Sequence, residues 1–207
     1  MVVIFGRTGV GISSLVNLIL GHPASNDHPD AKTISEKTKS YPATALPGSN
    51  KRFCLYEVPG FGGQFPEAKI LKTIRQIERE KGIDLFIYCL RKQPMTILPN
   101  IVHAIRRDVP GVPMIAVVTE LERYGAEPGE METWWDVSLR DGYTNGTRVE
   151  QMCFGEYDRF DAHACITTLP WKEVDLLDGL RKRRDQSEDH IRRLILEQCT
   201  KRARRGE

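Results

Sequence analysis

The chain has 207 residues, 40% of them hydrophobic and 28% charged, which suffices to bury one sizeable core and is marginal for two. Its 30 Lys and Arg against 28 Asp and Glu leave a net charge of +2, which argues against wholesale nucleic-acid binding. No stretch reaches the roughly 18 apolar residues that a bilayer crossing needs, and the opening Met1 to Gly6 lacks the basic flank and cleavage site of a secretory signal.

The charge is unevenly placed. From Arg181 onward there are 10 basic and 5 acidic residues, so any basic partner surface is local to the C-terminal segment. The five cysteines (Cys54, Cys89, Cys153, Cys165 and Cys199) are odd in number and form no CxxC pair. That usage predicts reduced thiols in a cytoplasmic protein rather than a disulfide framework or a zinc site.

In chain order, residues 1–5 read as a buried strand and Ile12 to Leu20 as a helix that Gly21 closes. The polar stretch 22–38 reads as a loop, and 39–46 and 52–58 as a hairpin joined by the turn residues Pro47, Gly48, Ser49 and Asn50. Apolar residues at 70, 71, 74 and 77 give a helix over Glu67 to Lys81, ended by Gly82. Ile83 to Leu90 is a strand, Ile97 to Arg107 a helix and Met114 to Thr119 a strand. After a loop at 123–131, Met131 to Arg140 reads as a short helix, with turns at Asp141-Gly142 and Asn145-Gly146. Ala162 to Thr167 is the last strand, Pro170 opens a helix, and Ser187 to Arg205 forms an amphipathic one with Ile191, Leu194, Ile195 and Cys199 on one face. Strands alternating with helices in this way predict an α/β fold around a mostly parallel sheet.

Directly after the first strand comes Gly6-Arg7-Thr8-Gly9-Val10-Gly11-Ile12-Ser13-Ser14, which fits the phosphate-binding pattern G-x-x-x-x-G-K-[ST] except at the lysine. In that pattern backbone N–H groups wrap the phosphates, the lysine neutralises their oxygens and the hydroxyl meets Mg²⁺. Gly6, Gly9 and Gly11 keep the first device and Ser13 the third, whereas Ile12 removes the second. Arg7, in the same loop, is a candidate for part of the missing charge, with a solvent-facing side chain as the alternative.

With its strand and helix, this loop resembles the first motif of the septin-like and immune-associated branch of P-loop GTPases, and most closely the small single-domain G proteins abundant in fungi. The resemblance covers about residues 1–180 and implies a P-loop NTPase three-layer fold, with a six-stranded, mostly parallel sheet and helices on both faces. It implies GTP and Mg²⁺ as ligands. Glu57, in Glu57-Val58-Pro59-Gly60, stands where the family's D-x-x-G acid holds the Mg²⁺ shell, with Gly60 at the γ-phosphate. Phe61 stands where Ras-like enzymes place the water-positioning glutamine, and Gln64 follows three residues on, so efficient hydrolysis is not expected. Ser35 is the candidate Mg²⁺-capping hydroxyl, with Thr33 and Thr38 as alternatives.

Thr119 and Glu122 fall at the spacing of the guanine-reading [NT]-K-x-D motif, similar to a T-x-L-E form, and Thr167 and Thr168 lie in the likeness of the family's closing base-contact motif. The candidate nucleotide-binding set is therefore Gly6, Arg7, Thr8, Gly9, Val10, Gly11, Ile12, Ser13, Ser14, Gly60, Thr119, Glu122, Thr167 and Thr168, with Ser13, Ser35 and Glu57 for the metal. The expected organisation is a G domain over 1–180 and a basic amphipathic helix over 181–207 whose end, Lys201 to Arg205, could contact anionic lipid without requiring a membrane. A homodimer across the nucleotide face is a further implication of the resemblance. Two functional readings stand: a guanine-nucleotide switch with at most slow hydrolysis, and a nucleotide-free pseudo-GTPase that serves as an interaction scaffold. A P-loop ATPase or kinase is a distant third, because Thr119 and Glu122 suit guanine better than adenine.

Overall fold

The computed structural model describes residues 1–23, 32–35, 38–45, 52–63, 65–92, 100–156, 158–170 and 178–205. The elements in order are β1 (Val2–Gly6), α1 (Ile12–Leu20), β2 (Lys32–Ser35), β3 (Thr38–Ala45), β4 (Arg52–Glu57), α2 (Glu67–Lys81), β5 (Leu85–Arg91), α3 (Asn100–Asp108), β6 (Met114–Thr119), a 3₁₀ helix (Pro128–Asp136), α4 (Asn145–Phe154), β7 (Ala162–Cys165) and α5 (Asp178–Arg205). One sheet runs in the order β2-β3-β4-β1-β5-β6-β7. From β4 to β7 neighbours are parallel, while β2, β3 and β4 pair antiparallel.

The expected mostly parallel sheet between helical layers is what the chain forms. Among the described residues the sheet has seven strands where six were expected, because Lys32–Ser35 adds an edge strand inside the stretch expected to be a loop. Two apolar clusters fill the two faces. On one, Ile70, Ile74 and Ile77 of α2, Ile101, Val102 and Ile105 of α3, and Val149 and Phe154 of α4 pack with Trp134 and Trp135 against Val3, Phe5, Phe86 and Tyr88. On the other, Leu15, Val16, Leu18 and Ile19 of α1 pack with Ile191, Leu194 and Ile195 of α5 over Val2, Ile4, Ile87 and Val117. Alternate residues of β1 serve opposite faces, as a strand buried on both sides requires. Each such Ile or Leu stabilises the fold by roughly 1.5–3 kcal/mol.

Several boundaries differ from the sequence reading. Asn145-Gly146, expected as a turn, opens α4, because the Thr144 hydroxyl accepts from Thr147 N at 3.1 Å and the Thr147 hydroxyl accepts from Thr144 N, a reciprocal cap. The helix expected over Met131 to Arg140 is the 3₁₀ segment, after which Ser138 bridges to Thr144. The terminal helix begins at Asp178, well before Ser187. The Pro47–Asn50 turn, residues 97–99 of the expected third helix and the segment following Pro170 lie outside the described residues. No helix among the described residues is long and apolar enough to cross a membrane.

Candidate functional site

The loop after β1 emerges where the strand order reverses, since β4 lies on one side of β1 and β5 on the other. Open α/β sheets leave a crevice at that point, beyond the carboxyl ends of the strands. A cavity of about 580 Å³ occupies it, lined by Thr8 to Ser14, Glu57 to Gly60, Arg91, Thr119, Glu120, Glu122 and Thr168 to Pro170. Its size falls within the range of small-molecule sites.

The loop is held from below by backbone bonds. Thr8 N donates to Phe61 O at 2.9 Å, Phe61 N donates to Gly6 O at 3.0 Å, and the Thr8 hydroxyl donates to Gly60 O at 2.9 Å. Gly11, with φ 91° in the left-handed region that glycine tolerates, turns the chain into α1 and brings no capping side chain. The first turn of α1 also carries no acid, so its amide end presents partial positive charge to the cavity that Ile12, Ser13 and Ser14 line. This arrangement favours an anion.

Opposite the loop, Glu57 ends β4 and is 9% exposed. Its carboxylate is held from two directions: the Ser13 hydroxyl donates to Oε1 and the Tyr41 hydroxyl to Oε2, the latter at 2.6 Å. Ser13 and Glu57 thus present adjacent hydroxyl and carboxylate oxygens, a donor set that fits Mg²⁺, which takes one or two protein oxygens and completes its shell with phosphate and water. Among the described residues no group of three or more His, Cys, Asp or Glu is arranged to hold a metal by itself. Any ion here would depend on its other ligands.

The far wall joins two segments. The fully buried Thr119 hydroxyl lies 2.9 Å from Val10 O and 3.2 Å from Leu90 O, donating toward both, which ties the end of β6 to the loop. Glu120 follows with φ 65°, a left-handed backbone uncommon outside glycine, and pairs with Arg91 at 2.9 Å. Glu122 accepts a long hydrogen bond from the Thr167 hydroxyl at 3.5 Å. Two buried arginines of α5 brace these segments from behind. Arg183 donates to Tyr124 O and Gly125 O at 2.7 and 2.8 Å, and Arg184 to Leu169 O at 3.0 Å.

Of the residues singled out from sequence, Thr8 to Ser14, Glu57, Gly60, Thr119, Glu122 and Thr168 meet in this one cavity. Gly6 is the last residue of β1, beneath the loop, and Arg7 bridges to Phe61 and lies near Gly62, so neither lines the cavity. Thr167 is fully buried behind the wall, its hydroxyl 3.5 Å from a Glu122 carboxylate oxygen. Ile12 is 8% exposed and its side chain belongs to the apolar cluster shared with α1 and α5. Phe61 is buried in the opposite cluster, among Val58 and Ile70. Ser35 closes β2 and Thr33 lies within it, but their side chains, with Gln64, lie outside the described residues, while Thr38 is buried in β3 away from the cavity lining. Sequence reasoning missed Arg91, Arg183 and Arg184; a charged residue closing an apolar strand was the available signal for Arg91.

A family model described as 50S ribosome-binding GTPase matches residues 1–120. No curated protein matches the sequence. The solved structures that superpose on the chain include a glycine-to-serine variant of SsGBP, at 14% identity and a TM-score of 0.58, covering 98% of this chain and 56% of that one. Another is a GTP-binding protein from the hyperthermophilic archaeon Sulfolobus solfataricus in complex with GDP, at 17% identity and a TM-score of 0.50, covering 92% of this chain and 52% of that one. Likeness at this identity shows the fold alone, and the chain spans little more than half the length of either structure.

Proposed function

The chain belongs to the GTPase family whose model spans residues 1–120, and we propose that its cavity is a guanine-nucleotide site serving a switch with at most slow hydrolysis. The observation that carries this reading is the joining of an uncapped, glycine-turned helix start with Thr119, Glu122 and Thr168 in one cavity. The amides at the start of α1 would bind the phosphates, and the Glu122 carboxylate would accept from the guanine amino and imino groups. Ser13 and Glu57 would hold Mg²⁺, which when bound neutralises phosphate charge. Slow turnover is supported by Phe61, buried in an apolar cluster where it cannot orient a water. The branch within the family, septin-like and immune-associated, and a dimer across the nucleotide face rest on the motif likeness, whereas cytoplasmic residence rests on the cysteine usage and contact of the C-terminus with anionic lipid on the basic residues Lys201 to Arg205.

A second reading, a nucleotide-free scaffold, is favoured by one specific feature. The described cavity lining carries Glu57, Glu120 and Glu122 against Arg91, an acidic surplus facing an anionic ligand. Titration of fluorescent GTP into the natural chain and into Ile12→Lys, with Mg²⁺ varied and GTP and GDP as competitors, separates the two. Micromolar, competable binding by the natural chain supports the switch. Absence of binding in both forms supports the scaffold.

A further inference from the structure

Position 12 holds no cation: its isoleucine lines the cavity and also packs into the apolar cluster of α1 and α5. Arg7 lies outside the cavity lining. Among the described residues that line the cavity, Arg91 is the one cation. It is the last residue of β5, in register with Thr119 of β6, whose hydroxyl bonds to Val10 O of the loop. The same strand pairs with β1 at Cys89 and Gly6, so Arg91 stands beyond the end of that ladder, on the rim from which the loop departs.

Its present partner is Glu120, at 2.9 Å. The two side chains are 44% and 36% exposed, and an ion pair of that exposure is weak and readily exchanged. A guanidinium offers five donors in a planar fork matched to phosphate as well as carboxylate oxygens, so a bound phosphate can take the place of Glu120. Glu120 stands beside it on a backbone in the left-handed region. Their ion pair is a resting contact that keeps the guanidinium at the cavity.

We propose that Arg91 supplies the phosphate-neutralising charge that position 12 lacks, passing from Glu120 to the phosphate oxygens of the bound nucleotide. The inference rests on the nucleotide reading above and specifies which side chain makes it workable. It also assigns Glu120 a role: as a competitor for the guanidinium, it lowers affinity for phosphate.

The test measures competition by guanosine, GDP and GTP against fluorescent GTP for the natural chain, Arg91→Ala, Arg91→Lys, Glu120→Gln and Ile12→Lys, with circular dichroism as a check on folding. Arg91→Ala is expected to weaken GDP and GTP by about ten- to a hundredfold while guanosine changes by less than about twofold. Arg91→Lys retains part of the phosphate affinity, and Glu120→Gln strengthens GTP binding severalfold. Equal losses for guanosine and GTP, or GTP affinity unchanged in Arg91→Ala, overturn the proposal. Should Arg91→Ala fail to fold, Glu120→Gln decides: unchanged or weakened GTP binding overturns it. Binding by Ile12→Lys with none by the natural chain sinks the role of Arg91 while sparing the site. Absence of binding in every form sinks the nucleotide reading itself.

Discussion

The Tyr41 hydroxyl of β3 donates to Oε2 of Glu57 at 2.6 Å, so the acid that ends β4 is anchored through its neighbouring antiparallel strand as well as through Ser13. Both side chains are buried. Tyr41→Phe removes this donor to a buried carboxylate, which costs about 1–3 kcal/mol. The expected drop in melting temperature is roughly 2–4 °C for each kcal/mol in a chain of this size. Calorimetric melts of the two forms check it, and an unchanged Tm means that water replaces the phenol.

Ile12 contributes to the cluster shared by α1 and α5. Ile12→Lys gives up that burial, and the lysine must extend its stem toward the cavity to hydrate its charge. The ligand-free variant is expected to be less stable than the natural chain by about 1–3 kcal/mol. GTP with Mg²⁺ then raises its Tm more than it raises the natural one, since a ligand at a hundredfold its Kd adds about 2.7 kcal/mol. Thermal-shift measurements with and without nucleotide read both effects.

A methyl group on Gly146 would lie 2.1 Å from Trp135 Nε1, with Cε2 and Cδ1 of the same indole at 2.3 and 2.4 Å. The helix start can approach the 3₁₀ segment only because that side chain is missing. Gly146→Ala must displace Trp135, which stacks on His163 with ring centroids 4.3 Å apart. The expected loss is about 1–3 kcal/mol, with altered tryptophan fluorescence. Native-like emission and stability would show that α4 slides to make room.

Outside the cavity, Glu132 of the 3₁₀ segment lies between His163 Nε2 at 3.2 Å and His190 Nδ1 at 3.4 Å, and accepts from Cys165 N at 3.0 Å. Burial lowers both imidazole pKa values below 6.5 and raises Glu132 to about 6. Because the folded state resists imidazole protonation, the histidine contribution to stability is present above pH 6.5 and is lost as pH falls through the lowered values. Glu132 acts in the opposite sense: its neutral form is favoured, so its contribution is present below pH 4.5 and is lost as pH rises through about 6. His163→Phe is expected to flatten the acid side of a Tm-against-pH curve and to abolish any tryptophan quenching that accompanies protonation. A curve identical to that of the natural chain would show that His163 does not titrate in this range.

The parts of the fold that could be read in advance were those where period and punctuation agree. Ile12–Leu20, Glu67–Lys81 and Met114–Thr119 have the expected boundaries, because an apolar face or run meets glycine or charge at its end. The start of α4 was hidden because Asn-Gly favours turns in isolation, whereas here Thr144 and Thr147 cap each other without the usual Glu or Gln. The edge strand β2 was hidden because Lys32–Ser35 has no apolar alternation and acquires its form from pairing with β3. In the site, contiguous motifs located the loop and both far-wall segments. Arg91 could not be found that way, since its place depends on β5 lying beside β1 and β6, which spacing along the chain does not encode.

The basic tail carries less outward charge than its composition suggests. Arg183 and Arg184 are 6% and 3% exposed and grip main-chain carbonyls beside the cavity, and Arg192 donates to Ile19 O at 2.9 Å. Three guanidiniums that a count would offer to an acidic bilayer or partner are thus turned inward as struts. A charge-reversal survey of this helix therefore mixes two phenotypes, collapse of the scaffold at these three positions and weakened surface attraction elsewhere.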